Sequence, residues 1–363
     1  MKRIALSFTM AAHASLMACS GGATGTTAPA DGGQDETASP ADGGQDGTTV
    51  VGLEAGNGGS PMDAANSQDG SATLHDASSA DAATANGGSG TATHCTTLYV
   101  DAVHGADTNA GTSNTASLKT ITHAIAAATS CTKTILVAAG TYDTSNGETF
   151  PLAIPDGVAI IGDEPNKGNA PGAQTLILGQ ASGVLVRPGR GSTIAGFKIT
   201  YSGMGGDGIG IVNSGVTARN NTLKGPGAGP FMGLVDGIDI GSSATNVVIA
   251  GNIATGWVFG YLVYGQNTVS FESNTGTGNN IGIEVSLPAA NLGVDLGGGI
   301  FQSPGKNTFA CNKSRDLIVD GAGVVVSARD DIWSDAPPTL VEANDGAPFP
   351  DTSGATAIVP PCQ

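Results

Sequence analysis

Apolar residues come in short bursts from about residue 98 onward, and each burst ends at glycine, proline or asparagine. Thr134-Ile-Leu-Val137, Gly157-Val-Ala-Ile-Ile161, Thr175-Leu-Ile-Leu178 and Ser192-Thr-Ile-Ala-Gly-Phe-Lys-Ile199 are of this kind. β-Branched runs bounded by turn formers predict strands. Two columns then repeat in one register. The first is Val216-Thr-Ala-Arg-Asn-Asn221, Val247-Val-Ile-Ala-Gly-Asn252 and Val269-Ser-Phe-Glu-Ser-Asn274. The second is Asp207-Gly-Ile-Gly-Ile211, Asp236-Gly-Ile-Asp-Ile240, Phe259-Gly-Tyr-Leu-Val263 and Ile281-Gly-Ile-Glu-Val285. Both columns show one insert, around Gly225–Leu234, and otherwise a period of roughly twenty-odd residues, which marks a solenoid.

Leu118, Ile121, Ile125 and Ala128 fall at helical spacing. They predict a helix over 118–129, capped by Ser117 or Thr115, that covers the open end of the apolar stack. Parallel crossovers are right-handed. The expected fold is therefore all-β: a single-stranded right-handed parallel β-helix with a short N-terminal capping helix, preceded by a disordered tether. The β-helix domain is placed at 95–340, with an irregular C-terminal strap at 341–363.

Composition adds the tether. Residues 19–94 contain no lysine or arginine and repeat the phrase Pro-Ala-Asp-Gly-Gly-Gln-Asp. Such a segment cannot bury a core and is read as a disordered acidic linker, averaging roughly 50 Å end to end. The formal net charge of −17 argues against nucleic acid and anionic membrane surfaces as partners.

Residues 1–18 carry a basic start and an apolar stretch, the layout of a secretory signal peptide. They lead into Leu16-Met17-Ala18-Cys19, which resembles a bacterial lipobox. That resemblance implies acylation of Cys19 and anchoring by several acyl chains. Ser20 follows the cysteine, which by the same resemblance favours the outer membrane of the cell envelope. Cys95, Cys131, Cys311 and Cys362 remain, an even count in an exported chain. The expected pairs are Cys95–Cys131 and Cys311–Cys362, one at each end of the domain.

Tyr99-Val-Asp101, Gly105-x-Asp107-x-Asn109-x-Gly111-Thr112, Leu118-Lys-Thr-Ile121 and Gly140-Thr-Tyr142 form a distinctive opening. Val294-Asp-Leu-Gly-Gly-Gly299 and Asn307-Thr-Phe309 follow late in the chain. Together, across roughly 97–340, these resemble the bacterial domain of unknown function 1565, which implies a right-handed, pectate-lyase-like parallel β-helix. The family has no established activity to lend.

Asn221, Asn252 and Asn274 are read as fold chemistry, because asparagine suits tight turns and its amide can bond the copies above and below. The aspartates offer more. Asp207 and Asp236 are equivalent on successive turns, about 5 Å apart, and Asp239 shares a column with Glu284. Neighbouring carboxylates repel unless a proton or cation intervenes. Asp207, Asp236 and Asp239 could hold Ca²⁺, serve as an acid/base pair, or simply bond their own turns. Arg187 and Arg190 could grip a uronate carboxylate or pair with Asp163 and Glu164. Trp257 and Tyr261 could form a sugar platform or lie in the core. Lys198 and Arg219 are formal candidates for a lyase base.

No histidine lies in the repeats, and no hydrolase, metalloprotease or phosphate-loop motif is present. The sequence thus leaves catalysis open. The expectation is a monomeric, lipid-anchored envelope protein that binds polysaccharide or another surface partner. The alternative is a Ca-assisted lyase or glycoside hydrolase acting on acidic glycan.

Overall fold

The computed structural model describes residues 96–180, 182–227, 234–242, 244–265, 267–286 and 293–362. The signal peptide, Cys19, the linker and Cys95 lie outside these residues.

Among the described residues the chain winds through three parallel sheets, the first and second of nine strands and the third of eight. One turn passes Thr217–Arg219 in the first sheet, Thr222–Lys224 in the second and Val235–Ile240 in the third. It re-enters the first sheet at Val247–Ala250. Each strand pairs only with its counterparts one turn away, as in Ile209↔Ile238, Ile238↔Tyr261, Tyr261↔Ile283 and Ile283↔Leu317. All five of these side chains are fully buried. Apolar residues stacked at the strand spacing thus fill the interior, and each buried one contributes about 1.5–3 kcal/mol. This is the right-handed parallel β-helix that the repeat spacing predicts.

From Arg219 to Thr222, Ala250 to Ile253 and Glu272 to Thr275 the turn from the first sheet to the second is short, and the asparagine column fills it. The Asn221 amide donates to Asn252 Oδ1 at 3.0 Å, Asn252 to Asn274 at 3.2 Å, and Asn274 to Asn307 at 3.0 Å. Each also donates to a carbonyl of the preceding turn, at Ile194, Ala218 and Ile249 respectively. The column ends on an aspartate: Asn307 donates its backbone N–H and its amide to Asp331 Oδ1. A second column joins the Trp257 N–H to Asn279 and the Asn279 N–H to Asn312. Every member of both columns is buried, so these amides substitute for solvent at turns that water cannot reach.

The capping helix spans Ile121–Ala127 with Thr120 as N-cap, later than the spacing suggests. Leu118 is already committed to a bridge with Val100. Asp107 fixes the entry by accepting from the N–H groups of Lys119 and Thr120. Glu148 accepts from the N–H groups of Ile121 and Thr122.

At the other end the third sheet runs past residue 340, since Val341–Asn344 pairs with Arg315–Asp320. The segment after residue 340 therefore begins as another strand rather than as an irregular strap. Cys311 and Cys362 are disulfide-bonded, with Cα atoms 5.2 Å apart, as expected. Cys131 is also disulfide-bonded, and its expected partner, Cys95, lies outside the described residues.

An acidic face on the third sheet

In Asp207-Gly208-Ile209 and Asp236-Gly237-Ile238 the in–out alternation breaks. Ile209 and Ile238 point inward and are fully buried. A Cβ on Gly208 would also point inward, 3.3 Å from the Trp257 ring. A Cβ on Gly237 would lie 2.5 Å from the carbonyl oxygen of Gly260. Two consecutive inward positions turn the preceding aspartate outward, and only glycine leaves room for this. The pairing skips the glycines accordingly, running Asp207↔Asp236 and then Ile209↔Ile238.

Asp207 and Asp236 therefore share the outer face with the neighbouring column Arg187, Gly210, Asp239, Leu262, Glu284 and Ile318. At Gly210 the Val184 side chain occupies the place of a side chain: a Cβ there would sit 2.9 Å from Val184 and 3.7 Å from Asp207 Oδ2. Val184 also lines a cavity of about 370 Å³, together with Thr144, Phe150, Gln180 and Ser182, among others.

Asp236 is only 4% exposed, and Asp236 Oδ1 and Asp239 Oδ1 are both buried without a hydrogen-bond partner. Burial, then repulsion from Asp207, Asp239 and Glu284, raises the Asp236 carboxyl well above the usual range. Asp239 is pushed up to about 7 by burial and the charge of Asp207, with Arg187 opposing. Asp207 rises to about 6 through burial, again opposed by Arg187. Glu284 reaches about 7 through burial and the charge of Asp320. Tyr264, 43% exposed, feels the charge of Asp239, Asp207 and Asp236 and so borders the cluster. Near neutral pH Asp236, and Asp239 and Glu284 in part, hold protons that ordinary carboxyls have lost, so the face can both accept and donate hydrogen bonds.

Arg187 belongs to this face, whereas Arg190 lies in the turn beyond it, its N–H bonded to Asp156. Neither arginine engages Glu164, which is held by Arg219 at 2.6 Å and 3.2 Å. Arg219 is in the first sheet and Lys198 in the second, where its ammonium donates to Gln174. Neither can serve as base to a substrate on the third sheet.

Trp257 and Tyr261 are fully buried and are core residues rather than a platform. Trp257 stacks with Tyr201 and donates to the Leu223 carbonyl, and Tyr261 meets Phe271 and Phe309 edge-on. Of the aromatics in this stretch, Tyr264 is the exposed one. It follows the inward Val263 in the register, so alternation alone places it outside.

Ca²⁺ is a poor fit. Among the described residues no group of three or more His, Cys, Asp or Glu is placed to hold a metal ion, and Ca²⁺ takes six to eight oxygen ligands. The carboxylates are strung along the turns instead of converging on a point.

A three-sheet parallel β-helix bearing an acidic outer face defines the class. The chain belongs to the family described as protein of unknown function DUF1565, whose model matches residues 103–340. No curated protein matches it. Among solved structures it is similar to the pectate lyase Pel9A, with 14% identity over 72% of this chain and 78% of that one, TM-score 0.40. It is also similar to the A-module of the Azotobacter vinelandii mannuronan C-5 epimerase AlgE4, with 14% identity over 63% of this chain and 90% of that one, TM-score 0.28.

Proposed function

We propose that this protein is a carbohydrate-binding β-helix of the bacterial cell envelope, tethered by lipid on Cys19 to the outer membrane. Its ligand lies across the outer face of the third sheet. The observation that carries this reading is the buried, unpartnered oxygen of Asp236 among the carboxyls of Asp207, Asp239 and Glu284. A buried polar atom without a partner costs about 1–3 kcal/mol. Ligand hydroxyls would supply the missing partners, with Tyr264 beside them to stack on a sugar ring. The anchor and the linker read from the sequence suit a receptor held at the cell surface.

The test is isothermal titration of the mature protein against a panel of soluble polysaccharides, repeated with Asp239→Ala and Tyr264→Ala. Binding that weakens at least tenfold in both folded variants is the expected result. Absence of binding to any glycan, or binding indifferent to both substitutions, overturns the proposal.

One observation favours a second reading, hydrolysis. Asp207 near 6 and Asp239 near 7 are poised to exchange protons at neutral pH, as a general acid and base must be. New reducing ends released from a bound glycan, and lost in Asp239→Asn, would convert the binding site into an active site.

A further inference from the structure

The acidic stripe outruns the cluster just described. From Asp207 and Asp236 it continues through Asp239 and Glu284 to Asp320, whose Oδ1 is also buried without a partner. Asp320 stands two residues beyond the Glu284 column, opposite Ser286. At about 4.8 Å per turn, the four steps from the strand of Asp207 to that of Asp320 cover about 19 Å along the axis. Unpartnered carboxylate oxygens thus stand at two places along one face, Asp236 and Asp239 together on one strand and Asp320 three strands on, with Glu284 between them. Arg187 is the cation at the near end. At the far end Arg315 is already bound to Glu342.

This charge pattern does not suit a uronate polymer, whose carboxylates would face a row of their own kind with Arg187 to offset them. Nor does it suit a metal ion, for which the oxygens are too dispersed. It suits a chain of cations spaced along a line.

Resting on the carbohydrate reading above, we propose that the third-sheet stripe takes a linear glycan bearing primary amines, with successive ammonium groups on successive carboxylates. A sugar chain fits better than a basic peptide. The main-chain groups of the third sheet are spent on neighbouring turns, so a peptide's own N–H and C=O groups would find no partners there. A sugar brings hydroxyls and an apolar ring face, which match the unpartnered oxygens and the exposed ring of Tyr264. The adjoining cavity offers neutral partners, Thr144, Gln180 and Ser182, for the ligand beyond the last carboxylate. An ammonium arriving at Asp207 or Asp239 would pair with the carboxylate through charge and hydrogen bond at once.

The test uses glucosamine oligomers, N-acetylglucosamine oligomers of equal length, galacturonate oligomers and oligolysine, titrated against the mature protein near pH 7.5. Glucosamine oligomers are expected to bind at least tenfold tighter than the acetylated ones. That preference should shrink in the isosteric Asp239→Asn and in 0.5 M salt, as screening demands. Equal or tighter binding of acetylated or uronate oligomers overturns the amine class and leaves the carbohydrate reading standing. Binding of oligolysine alone overturns both. Circular dichroism of Asp239→Asn confirms that any loss is not unfolding.

Discussion

Replacing Asp331 by asparagine should stabilise the protein, and by an amount that depends on pH. Asp331 occupies the last position of the asparagine column and is 0% exposed. Its Oδ1 accepts from the Asn307 N–H at 2.9 Å and from its amide at 3.1 Å, as an asparagine oxygen would. Its Oδ2 is buried without a partner, where the preceding members of the column carry a donating NH₂. Burial, opposed by the Asn307 bonds, pushes the carboxyl up to about 8. The unfolded chain releases that proton near the ordinary 3.8, while the folded chain keeps it until about 8. With the folded value raised, the penalty is absent below pH 4, grows as pH rises between the two values, and is constant above 8. Each unit is worth about 1.4 kcal/mol, so the penalty at pH 7 has an upper bound of about 4 kcal/mol. Asparagine removes it and adds a donor where the lone oxygen was. Urea denaturation at pH 5 and pH 7 should show Asp331→Asn more stable at neutrality by about 2–4 kcal/mol, with the gap narrowing by about 1.4 kcal/mol per unit of acidification. A variant no more stable at pH 7, or a gap that ignores pH, would refute the reasoning.

Asn252→Ala within the column should cost at least about 3 kcal/mol, because it strands the buried Asn221 N–H and the Ala218 carbonyl; a urea midpoint within error of wild type would contradict this. Trp257→Ala should cost about 3–5 kcal/mol as a core deletion, whereas Tyr264→Ala should leave the melting temperature nearly unchanged and weaken glycan binding. The reverse pattern would mean that the two aromatics have been misassigned. Cys311→Ser opens a closure spanning 51 residues and should lose about 2–4 kcal/mol; a urea midpoint equal to that of wild type would contradict this. Cys19→Ser should move the protein from the membrane to the soluble fraction, and retention in the membrane would dispose of the lipid anchor.

The winding was legible because parallel stacking repeats the same requirement on every turn. An inward apolar residue and a turn asparagine recur at fixed distances, so the columns Asn221, Asn252, Asn274 and Asp207, Asp236 align without a structure. The column's continuation to Asn307 and Asp331 was hidden by the long excursion between residues 297 and 308, which breaks the period, and by the exchange of asparagine for aspartate. The acidic cluster was half visible. Its columns could be read, but whether Asp207 and Asp236 faced in or out depended on the break at Gly208 and Gly237, which alternation does not foretell. Arg219 and Lys198 misled for a related reason, since chain proximity does not say which of three sheets a residue occupies. Trp257 misled because it stands at a turn, where its ring folds back beneath the third sheet.

Along the asparagine column the turn between the first and second sheets is held short, from Arg219 to Thr222, Ala250 to Ile253 and Glu272 to Thr275, while the segments leading into the third sheet vary in length, from the stretch between Thr255 and Phe259 to the long one between Lys224 and Val235. The molecule therefore behaves as a comb with a rigid spine and exchangeable teeth. Each turn lends the outer face one or two side chains at a constant pitch, and substituting one tooth leaves its neighbours in place. A lineage could in this way change which polymer is held, one rung at a time, without renegotiating the fold.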